Sequence, residues 1–117
     1  MATRTKTQLA LAALQHIGVV DADGNMSAAD AAYVEARYED LWEEMSDDNS
    51  LAYWERDEIP SVVFEPLIHL LAVSVAPAFG KPSSVKQIEE NLMICKRRIR
   101  RHSKVTSADV QSPSEDF

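Results

Sequence analysis

Glycine and cysteine are scarce in this chain: three of the first and one of the second in 117 residues. So few glycines leave no loop to cradle a phosphate, and no Gly-x-Ser-x-Gly turn is present. Cys95 alone cannot close an internal disulfide, which fits a reducing compartment, and no cysteine cluster offers a zinc site. The three histidines, His16, His69 and His102, form no evident constellation. A bilayer-spanning run is missing too, since Val62–Val75 is too short and holds His69. The N-terminal MATRTKTQLALAALQHIG imitates a signal peptide, but Gln8, Gln15 and His16 interrupt its apolar run, so it reads as a helix. These absences point away from an enzyme, a cofactor, a metal site and a membrane partner.

What is present is ordinary globular material, 45% apolar and 26% charged, in a length that suits one domain. Its centre is Ile59–Gly80, an almost wholly apolar segment opened by Pro60 and Ser61 and closed by Pro77 and Gly80. A helix apolar on every side has no face for water and belongs at the middle of a core. The expected fold is therefore all-α: a small four-helix bundle with a central buried helix and an extended C-terminal tail.

The helices are expected near 5–17, 27–46, 61–76 and 84–101. Thr5 and Gln8 read as a capping box for the first, and Gly18 as its stop. Asp21-Ala-Asp-Gly-Asn is turn chemistry and not a calcium loop, because Gly24 comes two positions early and no closing Glu follows. Ser27 caps the second helix, whose buried face is Ala31, Val34, Tyr38, Leu41, Trp42 and Met45. In the third, either Ser61 is the cap with Pro66 slightly inside, or the helix proper begins near Glu65. His69 is expected as a hydrogen-bonded structural residue of the core. Ser84 and Gln87 form a second capping box, and Val85, Ile88, Leu92, Cys95 and Ile99 make an apolar seam with Cys95 inert upon it. After Arg101 the periodicity ends, and residues 102–117 read as a flexible tail.

Charge is divided along the chain. Residues 21–65 hold fourteen acids against Arg37 and Arg56, while residues 81–104 hold eight bases against Glu89 and Glu90. The candidate interface residues are the acidic ladder Glu35, Glu39 and Glu43, and the basic cluster Lys96, Arg97, Arg98, Arg100 and Arg101. Tyr53 and Trp54 join them: one is expected to fold over the core as a lid, the other to anchor an interface. Phe117 is an apolar terminal group that offers a docking point. The basic cluster also supports an alternative, a small helical nucleic-acid-binding or regulatory protein.

Three stretches resemble a known family. TKTQLALAALQHIGVV, the acidic helix with Leu41-Trp42-Glu43, and VVFEPLIHLLAVSVAPAFGK are similar to the head-to-tail adaptor (head completion or tail accessory factor) proteins of tailed bacteriophages. Leu9, Ala13, Leu14, Ile17, Gly18 and Val19 fill the first-helix pattern of that family. Leu70-Leu71-Ala72 and Ala76-Pro77-Ala78-Phe79-Gly80 fill the third, and the match covers residues 5–101. The resemblance implies a virion structural protein of the neck, made in the bacterial host cytoplasm. Its implied partners are its own copies in a ring, typically of twelve, the portal protein above, and a downstream tail or stopper protein. DNA is implied only as channel content. The stretch after Arg101 is short beside the long extensions of some members. Within such a ring, the acidic ladder of helix two is expected to meet the basic end of helix four of a neighbour.

Overall fold

The computed structural model describes residues 3–48, 51–81 and 83–115, with 103–115 as backbone alone. The fold is all-α. Its elements are a short strand β1 (Thr3–Arg4), α1 (Lys6–His16), α2 (Ala28–Asp47), a short strand β2 (Ile59–Pro60), α3 (Ser61–Val75) with a following 3-10 turn (Ala76–Phe79), and α4 (Val85–Glu115).

Local chemistry accounts for most of the boundaries. At the start of α1, Thr5 Oγ1 accepts from the Gln8 amide at 3.1 Å and the Thr5 amide donates to Gln8 Oε1 at 2.8 Å. Ser84 and Gln87 repeat the same reciprocal pair ahead of α4, and Ser27 Oγ accepts the Asp30 amide ahead of α2. Two glycines end helical segments in the left-handed region, Gly18 at φ 79° and Gly80 at φ 75°. In each case the next residue reaches back five positions, Val19 to the Leu14 carbonyl and Lys81 to the Ala76 carbonyl. That is the Schellman closure, which satisfies carbonyls that a helix end leaves open.

α3 is the hub, with α1, α2 and α4 all packed on it. Leu67, Leu70, Leu71, Ala72 and Val75 are fully enclosed, with Leu9 and Leu14 from α1, Val34, Tyr38 and Met45 from α2, and Cys95 and Ile99 from α4 around them. Burial of five such side chains stabilises by roughly 1.5–3 kcal/mol each for the larger ones. By length and composition alone Ser61–Phe79 is apolar enough to cross a membrane, and half of it is buried inside the protein.

The start of α3 differs from both expected forms. Antiparallel pairing of Arg4 with Ile59 and of Thr3 with Pro60 holds Ile59–Pro60 extended, so the helix begins at Ser61 with Pro60 as the uncapped flanking residue. Pro66 then falls well inside, and the Val62 carbonyl loses the donor four residues on.

The helix is also not apolar on every side. Ser61, Glu65 and His69, each four apart, form an exposed line down α3. His69 is thus on the surface and not in the core. Residues four apart share a helix face, so these three polar residues give α3 one narrow stripe toward water.

α2 and α4 run in the same direction. Tyr33, near the start of α2, lies edge-on to Phe79 at 6.0 Å, just where the chain turns toward α4. Asp48, at the far end of α2, reaches Lys96 and Arg100. Both helices are therefore antiparallel to α3, which lies against each.

α4 continues past Arg101, the boundary expected from its periodicity, and the backbone of residues 102–115 is helical. The apolar seam stops at Ile99, but no glycine or proline falls between Pro82 and Pro113 to end the helix.

Candidate assembly surface

The acidic ladder of α2 is engaged within its own chain. Glu35 accepts the Thr7 hydroxyl at 2.9 Å; Glu39 pairs with Lys6 at 2.6 Å and Arg56 at 3.5 Å; Glu43 pairs with Arg56 at 3.1 Å. The ladder lies beside the start of α1 and the connector, which supply its cations. Lys6 holds the Glu39 carboxyl below its ordinary range, and Glu39 raises the Lys6 ammonium in return. Glu39 and Glu43 thus have cations of their own chain beside them, at side-chain exposures of 32% and 58%. The N-terminus is stitched down at the same place, where the Lys6 amide donates to Asp57 Oδ1 at 2.8 Å.

The connector aromatics separate cleanly. Trp54 is buried at 6% exposure and is the lid; its indole donates to the Tyr38 hydroxyl at 3.1 Å. The Tyr38 hydroxyl donates onward to the Arg56 carbonyl at 2.8 Å, and the Trp42 indole donates to the Trp54 carbonyl at 3.0 Å. Burial pushes the Tyr38 hydroxyl up to about 12. Tyr53, stacked edge-on against Trp54 at 5.3 Å, is the exposed member. Of the expected pair, Trp54 is thus the one folded over the core and Tyr53 the one left at the surface.

The basic cluster also divides. Lys96 and Arg100 pair with Asp48 at 3.1 and 3.7 Å, while Arg97, Arg98 and Arg101 are exposed and make no ion pair among the described residues. Beside them on α4 stand Met93 and Ile94, 59% and 48% exposed. The inner side carries Cys95, whose thiol burial pushes up to about 12, as suits an inert core residue. The acids left facing outward on α2 are Asp40, Glu44 and Asp47, likewise without ion pairs among the described residues. The surface thus holds one acidic and one basic helix face, on different helices. Phe117 lies outside the described residues.

One contact was missed in the sequence. His16, the last residue of α1, stacks on His69 at 4.8 Å between ring centroids and 23° between planes. The signal was the spacing of Ser61, Glu65 and His69. A shallow groove runs beside it between α3 and α4, lined by Glu65, Pro66, His69, Asn91, Ile94 and Arg98. Among the described residues no three His, Cys, Asp or Glu side chains are placed to share a metal ion. Set against protein-family models, curated proteins and solved structures, the chain finds no match.

Proposed function

We propose that this chain is a head-to-tail adaptor of a tailed phage, forming a ring under the portal that extends the DNA channel and carries the next tail component. One observation carries the reading: the outward faces of α2 and α4 have opposite charge and sit on separate helices, with Asp40, Glu44 and Asp47 on one and Arg97 and Arg101 on the other. A chain with two different complementary patches joins head to side, and such contacts close into rings when the rotation allows. The family resemblance over residues 5–101 supports the same reading.

The apolar seam of α4 offers no competing dimer contact at Cys95 and Ile99, which are enclosed by the chain itself. The test is mass by light scattering, first of the protein alone and then mixed with the portal protein of the same particle. A complex holding one copy per portal subunit is the expected result. A stable dimer that ignores the portal overturns the reading. Binding to duplex DNA that falls steeply with salt would favour the nucleic-acid alternative through Lys96–Arg101.

A further inference from the structure

The groove between α3 and α4, 80 Å³ in volume, brings together a carboxylate, a guanidinium, a carboxamide and an imidazole, from Glu65, Arg98, Asn91 and His69. Glu65 and Arg98 line it together, yet both are exposed and neither makes an ion pair among the described residues. The Asn91 amide nitrogen donates to the Gln87 carbonyl at 2.9 Å, so its oxygen is the atom that can serve a ligand. His69 adds a flat surface, because its ring stacks on His16 and both imidazoles are exposed. Pro66 and Ile94 supply the apolar wall.

We infer that this groove binds a guanine nucleotide, with the base on the imidazole pair, its Watson–Crick edge on Glu65 and its phosphate on Arg98. A simple anion does not suit the site, because Glu65 repels what Arg98 attracts; the ligand must bring hydrogen-bond donors as well as negative charge. The flat imidazole pair selects a planar ligand, since unpaired bases stack on histidine rings as on other aromatic side chains. An ionised carboxylate only accepts hydrogen bonds, and it has two oxygens to accept with. Guanine matches it with two adjacent donors on one edge, N1–H and the 2-amino group. Adenine and cytosine offer one amino group beside a ring nitrogen acceptor, which a carboxylate repels. Uracil and thymine offer one N–H between two carbonyls. The Asn91 oxygen is a further acceptor for the guanine amino group, and the planar fork of Arg98 matches phosphate. Pairing in a duplex occupies the edge that Glu65 reads, so the ligand is a free nucleotide or an unpaired guanine in a single strand. The site uses none of the residues assigned to the ring contact and stands whether or not the ring forms.

NMR of the histidine ring protons in the full chain tests this, with GMP and UMP as probes. GMP is expected to shift the His16 and His69 signals with a Kd of about 1 mM, and UMP to bind about tenfold more weakly. Glu65→Gln should abolish that difference, because an amide places a donor where guanine needs an acceptor. Arg98→Ala should weaken GMP about tenfold and leave guanosine, which lacks the phosphate, unchanged. Both substitutions are at exposed positions, and unchanged circular dichroism checks that the variants are folded. No shift with GMP, equal binding of GMP and UMP, or a guanine preference that survives Glu65→Gln overturns the site. The wild-type comparison of GMP with UMP decides even if a variant fails to fold. The hexamer d(TTTGTT) separates the two sources: binding tighter than GMP assigns the site to a single strand, and equal binding assigns it to the free nucleotide.

Discussion

The Trp54 indole donates a hydrogen bond to the Tyr38 hydroxyl at 3.1 Å, and that hydroxyl closes the connector onto α2 by donating to the Arg56 carbonyl. Tyr38→Phe keeps the ring but strands the indole N–H and removes the donor to Arg56. The expected loss is about 1–3 kcal/mol, because an enclosed donor left without a partner carries its full desolvation cost. Urea unfolding followed by tryptophan fluorescence measures it, and an unchanged midpoint would sink the idea that this bond holds the lid.

Alkaline pH should destabilise the fold. Tyr38 and Cys95 are both pushed up to about 12 by burial, from ordinary values of 10.0 and 9.0. A raised folded pKa means the unfolded chain releases these protons first. Stability is complete below about pH 9 and falls, by an order of a few kcal/mol, as pH climbs toward 12. Urea midpoints collected across that range should show the decline, and Tyr38→Phe with Cys95→Ala should flatten it.

The Lys6–Glu39 pair should act in the opposite direction at low pH. The Glu39 carboxyl is held down by the Lys6 ammonium, so its contribution is present above the ordinary carboxylate range and lost as pH falls through the folded value. Lys6, raised by Glu39, contributes fully below the ordinary ammonium value and loses that contribution as pH rises through the folded one. Both side chains are about a third exposed, so solvent screens them. A double-mutant cycle with Lys6→Met and Glu39→Gln should find a small coupling at low salt that vanishes near 1 M. Coupling unaffected by salt would contradict an exposed ion pair.

Gly18→Ala and Gly80→Ala should each cost about 1–2 kcal/mol, from the left-handed backbone alone. An added Cβ meets nothing within 4 Å at either position, so no steric clash contributes. Asn at the same sites should recover part of the loss, since it tolerates this conformation. Thermal midpoints of the four variants make the comparison, and equal losses for Ala and Asn would argue against backbone strain.

Features held within four or five residues were legible before the structure: the Thr5–Gln8 and Ser84–Gln87 boxes, the Ser27 cap, and the stops at Gly18 and Gly80. So was the central place of α3, because its composition leaves no other home for it. The surface line Ser61–Glu65–His69 was readable by its spacing but hidden by the average of the segment. Which of Tyr53 and Trp54 turns inward was not readable, since it depends on Tyr38, sixteen residues away along the chain. The partners of Glu39 were likewise hidden, because Lys6 and Arg56 come from either side in sequence. α4 runs past Arg101, where the periodicity ends, because periodicity reports packing on the core, whereas the helical backbone there continues from a packed segment with no breaker before Pro113.

The hub position of α3 has a consequence for how the protein is made. A ribosome delivers α1 and α2 first, and their apolar faces, with Leu9, Leu14, Val34 and Met45, then have only each other. The helix that covers both does not begin until Ser61, and α4 follows it. More than half of the chain must therefore leave the exit tunnel before a core can close, and a nascent chain arrested ahead of Val75 exposes apolar helices to chaperones instead of presenting a finished half.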